Sequence, residues 1–274
     1  MNVDSLSRFE QYLREEEKSG LTVEKYLRDL RAFLLWAGGG ELSRELVIRW
    51  KQTLVEAGYR PRSINSMLAS VNAWLRFIGR EDCRVKSLRL QRQIYQKPEE
   101  DLSRAEYQRL LAAARRKPRL HLLLQTICAT GIRVSELRYF TAEAVALGEI
   151  TVSCKNKTRV ILIPDKLKTK LLRYAKDTGV TDGAIFRTRG GKPLDRSNIH
   201  HEMKALCAAA GVAPEKVFPH NLRKLFARLF YGLEKDIAKL ADVLGHTSIN
   251  TTRIYIMTTA AEHRRQLERL HLLI

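Results

Sequence analysis

The chain has 274 residues, of which 45% are hydrophobic, and its formal net charge is +19 at pH 7. This length allows two domains with separate cores, and this composition excludes a disordered chain. The excess of positive charge favours a polyanion such as nucleic acid as the partner. No apolar run approaches the ~20 residues that span a bilayer, and the charged N-terminus lacks the apolar core of a signal peptide. We therefore expect a cytoplasmic protein without a membrane partner.

The first 80 residues carry apolar side chains at helical spacing in four segments, which predicts an all-helical bundle. Ser43 is placed to cap the third helix, and Pro61 suits the first turn of the fourth. Residues 81–101 are rich in charge and have little periodicity, which predicts a linker. The remaining residues, 102–274, are long enough for a second and larger domain.

The second domain is predicted to be mostly helical with one hairpin. Ser103, with a glutamate three residues later, forms a capping-box pattern, and Gly131 suits the end of the following helical region. In residues 149–163, β-branched residues lie on both sides of the polar stretch CKNKT, which predicts a β-hairpin. Residues 185–186 suit a short strand. The predicted fold class is therefore mainly α, with a small β-hairpin.

The four cysteines are widely spaced and form no Cys-x-x-Cys pair. This spacing predicts neither a disulfide framework nor a zinc site, and we expect them to be small core residues. The sequence suggests no cofactor and no metal site. The four are Cys83, Cys128, Cys154 and Cys207.

Residue types suited to phosphate chemistry recur through the second domain. Arginine binds two phosphate oxygens through its planar fork and stays charged at any working pH. A lysine or an imidazole can move protons, and a phenol, with a pKa near ~10, can attack phosphorus if a base or nearby cations assist it. Together these groups can cut nucleic acid through a covalent tyrosine link without a metal. They are Arg133, Lys155, Lys157, His220, Arg223, His246 and Tyr255.

Each of these residues, taken alone, is more often structural. Arg133 suits the start of a helix, turn lysines are usually solvated, and most of the nine tyrosines must pack in cores. The segment DIAKLADVLGHTSINTTRIYI also resembles a helix-turn-helix, which would make the protein a non-catalytic DNA-binding regulator with a structural His246 and Tyr255. That alternative leaves the arginine motifs unexplained.

The order and spacing of the motifs resemble the tyrosine recombinases, the family of the phage integrases and the Xer and Cre proteins. ATGIRVSEL resembles the family's first arginine box, PHNLRKLFA its His-x-x-Arg box, and LGHTSINTTRIY its Leu-Gly-His box with the nucleophile. The resemblance covers nearly the whole chain. It implies a SAM-like helical core-binding domain over residues 1–80, a linker over 81–101 and an α-rich catalytic domain over 102–274.

The resemblance also implies roles for the motif residues. Tyr255 would attack the scissile phosphate and become joined to a 3′ phosphate, while Arg133 and Arg223 would bind the non-bridging oxygens. His246 would support the same phosphate, and His220 would act as general base or phosphate ligand.

Two further positions follow from the resemblance. Glu136 occupies the family's acidic position after the first arginine and would help to organise the site. The first lysine of the hairpin, Lys155, would be the general acid for the 5′ oxygen. Relatives often read Gly-Lys-Gly-Asn-Lys before the arginine at the end of the turn. This chain reads CKNKTR, including that arginine, so its turn is one residue shorter. Lys157 therefore stays open as the alternative.

For the whole protein, the resemblance implies site-specific recombination of double-stranded DNA at sites with inverted repeats. Four like or mixed protomers would hold two sites, without ATP, and a bacterial, archaeal or phage origin is expected. The C-terminal segment AAEHRRQLERLHLLI would dock on a neighbouring protomer or fold back on its own domain. A type IB topoisomerase shares the chemistry, but such enzymes usually lack the N-terminal bundle.

Overall fold

The fold of the chain was obtained as a computed structural model, which describes residues 3–90, 98–154, 157–257 and 260–270. Over these ranges it is mainly helical and contains one two-stranded antiparallel sheet, as the sequence predicted. None of the helices described is long and apolar enough to cross a membrane. The chain divides into two compact units, Met1–Arg92 and Gln93–Ile274.

The first unit is a bundle of four helices around an aromatic core. Phe33 contacts Trp50 edge to face, with 5.0 Å between the ring centroids. The predicted helix starts are confirmed, since the Ser43 hydroxyl accepts a hydrogen bond from the backbone N–H of Leu46 and Pro61 opens the fourth helix. The helices are α1 (Val3–Glu15), α2 (Gly20–Ala37), α3 (Arg44–Glu56) and α4 (Pro61–Phe77).

The segment that follows α4 stays attached to the bundle. Cys83 and Val85 are buried in its core. The Asn72 side chain exchanges two hydrogen bonds with the backbone of Val85, at 2.9 and 3.2 Å. Residues 91–97 lie outside the described ranges, so the linker predicted over residues 81–101 stays a prediction.

The described part of the second unit contains ten helices, the hairpin and short 3-10 turns, which pack mainly around a second core. In this unit the Ser103 capping box is confirmed, because its hydroxyl and the Glu106 carboxylate each accept a backbone N–H of the other residue. The helices are α5 (Arg104–Ala113), α6 (Pro118–Thr130), α7 (Ala142–Leu147), α8 (Asp165–Asp177), α9 (Arg196–Lys204), α10 (Cys207–Ala210), α11 (Pro219–Glu234), α12 (Ile237–Leu244), α13 (Ile249–Arg253) and α14 (Ala260–Glu268).

The predicted hairpin is confirmed. It consists of β1 (Glu149–Cys154) and β2 (Lys157–Leu162), paired antiparallel with Val152 opposite Arg159. Val152 is buried, so this face of the hairpin lies against the core. Lys155 lies outside the described residues, and so does the side chain of Lys157.

The short strand predicted at residues 185–186 is wrong. Both residues are buried, but the backbone N–H of Ile185 donates to Phe140 while the carbonyl of Phe186 accepts from Leu194. Because the partner changes from one residue to the next, no ladder forms. Ile185 and Phe186 are residue types that favour strands, but here they are buried residues of an irregular segment.

Three cysteines, Cys83, Cys128 and Cys207, are free and buried, which confirms their prediction as core residues. The side chain of Cys154 lies outside the described residues. Among the residues that the structure describes, no group of three or more His, Cys, Asp or Glu side chains could hold a metal ion.

Gly131 ends α6 and lets α11 approach the backbone there closely. Its φ is +62°, and its N–H donates to the carbonyl of Ile127 at 2.9 Å. A Cβ at this position would lie 2.3 Å from Cδ1 of Phe226 on α11. The glycine therefore fixes both the end of α6 and the packing of α11, and the chain turns directly from it to Arg133.

Replacing Gly131 by alanine is expected to lower the free energy of unfolding by about 3 kcal/mol. The left-handed conformation costs a Cβ about 1–2 kcal/mol, and overpacking against Phe226 adds about 1–3 kcal/mol. Gly211 ends α10 with φ +59° and has nothing within 4 Å of its Cβ position, so Gly211→Ala should cost about 1 kcal/mol. Urea unfolding of both variants measures the difference. Equal losses would contradict the close approach at Gly131.

Candidate active site

Five of the predicted residues meet at one place in the second unit. Arg133 follows α6, while His220 and Arg223 lie in the first turns of α11. His246 follows Gly245, which ends α12, and Tyr255 comes just after α13. Pro219 opens α11. Lys155, which was also predicted, is outside the described part of the chain, and so is the side chain of the alternative Lys157.

Arg223 is buried, with only 2% of its surface exposed. Its guanidinium donates to the carbonyl of Gly131 and, at 2.7 Å, to that of Leu244. A third contact, of 3.0 Å, joins it to Nε2 of His246. No carboxylate of the described residues forms an ion pair with it. Burial, followed by the positive charge of Arg133, lowers the pKa of Arg223 to about 10.

A buried cation without a counter-ion is costly, because protein interiors pair their charges. Three of the five N–H groups of a guanidinium are used by the two carbonyls and the imidazole, so Arg223 keeps about two for a ligand. An anion is the ligand that would restore the charge balance.

Arg133 is more open, with 40% of its side chain exposed, and is oriented by Glu136. Its Nη1 lies 3.0 Å from Oε1 of Glu136, and its Nη2 donates to the carbonyl of Gly245 at 3.1 Å. The carboxylate also accepts the backbone N–H of Arg133 at 2.7 Å. The guanidinium is therefore held in place while part of it stays available to solvent.

Glu136 is buried yet ionised. Burial alone would raise the pKa of its carboxyl, but the hydrogen bond from the Arg133 backbone and the charge of Arg159 outweigh this and lower the pKa. The Nη2 of Arg159 lies 2.6 Å from Oε2 of Glu136. One carboxylate thus serves two arginines. It removes one positive charge from the cluster and leaves the cluster net positive.

Arg159 was not predicted as a site residue. It lies on β2, and besides Glu136 it binds the carbonyl of Val243 through Nη1 at 2.5 Å. In the sequence it is one more basic residue in a basic chain, and nothing local marks it. Its position opposite the buried Val152 is a consequence of the strand register, which the sequence did not define.

His246 links Arg223 to the segment that carries the tyrosine. Arginine has no acceptor atom, so Nε2 of His246 must accept from Arg223 and Nδ1 carries the proton. That N–H then donates to Oγ1 of Thr252 at 2.8 Å. Thr252 is completely buried. Burial, together with the charges of Arg223 and Arg133, lowers the pKa of His246 to about 4.

Stability is expected to fall as the pH drops from about 6.5 to about 4, the interval between the ordinary and the folded-state pKa of His246. In this window the unfolded chain binds the proton that the folded site excludes, so unfolding becomes easier with acid. The measurement is the free energy of unfolding, which is compared between the wild type and His246→Gln from pH 7 to pH 4. The advantage of the wild type at pH 7 should shrink toward pH 4. An advantage that stays constant or grows would contradict a neutral His246.

Tyr255 is 6% exposed and lies between two imidazoles. Its ring centroid is 5.2 Å from that of His220 and 5.2 Å from that of His246, in edge-to-face contacts of 78° and 71°. Although His220 is exposed at the surface, the atoms packed around its ring, followed by the charges of Lys224 and Arg223, lower its pKa. Two imidazoles that favour the neutral state therefore flank the phenol.

A cavity of about 320 Å³ opens beside these residues. Its walls combine cationic and apolar side chains, and its size suits a phosphate group with its neighbouring atoms. The α9 helix contributes two basic side chains to it that the sequence analysis did not single out. The lining includes Arg133, Arg196, His200, Phe218, His220 and Arg223.

The helix-turn-helix interpretation of residues 236–256 does not fit this geometry. A recognition helix presents an exposed row of side chains to the DNA groove. Here the second helix, α13, has five residues, and Thr252 and Tyr255 point to the interior. His246 is hydrogen-bonded to Arg223 on one side and to Thr252 on the other, so the segment is part of the cluster around Arg223.

Comparison with known proteins shows which family has a domain like the one that holds this cavity. The profile of the "Phage integrase family" matches residues 100–262, which includes all five of the clustered residues. The chain belongs to the phage integrase family. A second profile, "Phage integrase, N-terminal SAM-like domain", matches residues 6–82 of this integrase. The predicted family and fold class are therefore confirmed.

Similar proteins extend the match over the whole chain. Tyrosine recombinase XerA of Thermococcus kodakarensis is 30% identical over 98% of this integrase and 95% of its own length. Tyrosine recombinase XerD of Vibrio cholerae is 27% identical, covering 91% and 89%. This integrase is accordingly a tyrosine recombinase, a site-specific DNA recombinase that breaks and rejoins strands.

Solved structures share the fold. A lambda integrase dimer bound to a COC′ core site has a TM-score of 0.73 at 19% identity and covers 92% of this integrase and 94% of that chain. The crystal structure of XerA recombinase has a TM-score of 0.56 at 24% identity and covers 99% of each.

Proposed function

We propose that this recombinase cuts DNA by attack of Tyr255 on a phosphodiester, forming a 3′-phosphotyrosine intermediate. The observation that carries the proposal is the buried guanidinium of Arg223, which has no carboxylate partner among the described residues and lies beside the tyrosine and the cavity. A site that holds an unpaired cation next to a nucleophile is suited to a phosphate, whose charge grows in the transition state.

In the proposed reaction, Arg223 and Arg133 bind the two non-bridging oxygens. Glu136 keeps Arg133 oriented without reaching the phosphate itself. Because guanidiniums stay charged and stabilise the pentavalent state directly, the step needs no metal to neutralise the phosphate.

The bonds balance as follows. The Oη–P bond to Tyr255 forms as the P–O5′ bond breaks, and the phenol proton passes to His220, whose lowered pKa favours the neutral, accepting form. The 5′ oxygen leaves as a hydroxyl after taking a proton from Lys155, with Lys157 as the alternative donor. The reverse attack, by the 5′ hydroxyl of a second strand, rejoins the DNA and regenerates the tyrosine.

His246 has a role that depends on the phosphate. In the free protein its Nε2 accepts a hydrogen bond from Arg223 and cannot donate. An anion in the cavity favours the imidazolium form, because an opposite charge at close range raises the pKa of a base. His246 would then donate to the phosphate through Nε2, while Thr252 continues to hold Nδ1.

We propose that the two units have different functions. We assign DNA core binding to residues 1–80, a linker to 81–101 and catalysis to 102–274, so that both units contact the backbone of a duplex with inverted repeats. The net charge of +19 supports such contacts. Assembly of four like or mixed protomers on two sites is part of the proposal. A cytoplasmic location, in a bacterial, archaeal or phage setting, goes with it.

The test uses a pool of random duplexes that carry a nick, so that the short 5′ fragment diffuses away after cleavage and traps the adduct. Full-length protein is incubated with the pool. Covalent complexes that survive denaturing detergent are purified, and their DNA is sequenced. Mass spectrometry of the peptide should place the 3′ nucleotide on Tyr255. An adduct on another residue, or no adduct from any sequence, would overturn the proposal.

The same DNA separates recombination from topoisomerase action. Two differently labelled duplexes that carry the selected site should exchange arms. Relaxation of a supercoiled plasmid without any exchange would instead favour a type IB topoisomerase. Site binding without cleavage would favour the regulator.

A further inference from the structure

Arg159 is bound on two sides by segments of the second unit that are distant in the sequence. From β2 its Nη2 reaches Oε2 of Glu136 at 2.6 Å, and its Nη1 reaches the carbonyl of Val243 at 2.5 Å. Glu136 orients Arg133, and Val243 lies in the last turn of α12, two residues before Gly245. One guanidinium thus joins the element after α6 to the end of α12.

The packing around Arg159 supports the same joint. A Cβ on Gly245 would lie 2.4 Å from Cδ of Arg159, so the arginine stem lies directly against the glycine backbone. The carbonyl of that glycine accepts a hydrogen bond from Nη2 of Arg133. Arg159 therefore contacts both of the groups that hold Arg133, the Glu136 carboxylate and the Gly245 peptide.

Arg159 is itself withdrawn from the cavity. Its side chain is 14% exposed, and it is not among the residues that line the opening beside Tyr255. Its Nε is buried without a hydrogen-bond partner. The two Nη groups therefore make its polar contacts, one with Val243 and the other with Glu136.

We propose that Arg159 is a positioning residue of the phosphate site, which acts through Glu136 to fix the guanidinium of Arg133. This inference rests on the proposed function, in which Arg133 binds a non-bridging oxygen. Because Glu136 is shared, loss of Arg159 leaves a buried carboxylate with one cation instead of two. The carboxylate and the bound Arg133 can then shift toward each other and away from the phosphate.

A double-mutant cycle tests the connection. Arg159→Met keeps the length of the side chain and removes its charge, and Glu136→Gln keeps the shape of the carboxylate. We expect Arg159→Met to slow single-turnover cleavage about 10- to 100-fold in the wild-type background, but by less than about threefold beside Glu136→Gln, as residues of one ion-pair network are coupled. The affinity for uncleaved DNA should change little, since Arg159 does not line the cavity. Arg159→Lys should recover part of the rate.

Controls keep the outcomes distinct. Arg109 donates to the carbonyls of Ala210 and Gly211, outside the site, so Arg109→Met should cleave like the wild type. Circular dichroism and the melting temperature report whether each variant folds. If Arg159→Met slows cleavage equally in both backgrounds, or not at all, the positioning role is wrong. If the wild type itself forms no adduct, the proposed function fails first.

Discussion

Replacing Tyr255 by phenylalanine is expected to abolish the covalent protein–DNA adduct completely while leaving DNA binding nearly unchanged. The substitution removes one oxygen, the proposed nucleophile, and keeps the ring that lies between His220 and His246. None of the residues that line the described cavity is a tyrosine, and Tyr255 is the phenol that contacts its lining residue His220. The measurement is adduct formation on the selected nicked duplex, together with the affinity for the intact site.

The chain offers a matched control in Tyr231. It packs against the same small cluster, around Leu240 and Leu244, so Tyr231→Phe removes a phenol oxygen from the same region. This variant should form the adduct at close to the wild-type rate. An adduct that persists in Tyr255→Phe, or one that disappears in Tyr231→Phe, would show that a different residue attacks.

Replacing Arg223 by lysine is expected to lower the cleavage rate by about 10²- to 10³-fold, the loss seen when one preorganised donor to a developing oxyanion is removed. Lysine keeps the charge, but its single ammonium has three donors. It cannot serve the carbonyls of Gly131 and Leu244, Nε2 of His246 and a phosphate at the same time. The planar fork is needed as well as the charge.

Single-turnover cleavage measures this effect, and Arg228 on the same helix provides the control. It donates to Asp101 at 3.1 Å and to the carbonyl of Leu102, and it lies outside the cavity. Arg228→Lys should stay within about threefold of the wild-type rate, since a partly exposed ion pair contributes little. Equal losses in the two variants would indicate a general effect on α11 instead of a specific contact with phosphate.

Much of the fold was predictable because its signals are local. A cap at Ser103, a left-handed stop at Gly131 and a proline at the start of α11 each act within one turn of the chain, so a few neighbouring residues determine them. The strand predicted at residues 185–186 was wrong because the hydrogen bonds of these residues are not set by their immediate neighbours. Ile185 bonds to Phe140, which is far away in the sequence, while Phe186 bonds to Leu194 across a turn, and only the folded chain brings these partners together.

The residues of the site also divide into those that the sequence predicted and those that it did not. The boxes around Arg133, Arg223 and Tyr255 predicted which groups meet, since their order in the sequence resembles that of a known family. The supporting contacts had no such signal. Thr252 fixes the imidazole of His246, and Arg159 joins Glu136 to the end of α12, through hydrogen bonds that exist only once the chain has folded.

Tyr255 and the helix before it rest on the smallest of the three apolar clusters in the described structure, formed by Ala227, Leu240, Leu244 and the tyrosine itself. The cluster is separate from the large core that holds α6 and the hairpin. Releasing α13 and Tyr255 would therefore expose little apolar surface and leave the large core packed. If Tyr255 holds the cut strand as proposed, that strand would be attached to the part of the second unit with the least buried apolar surface.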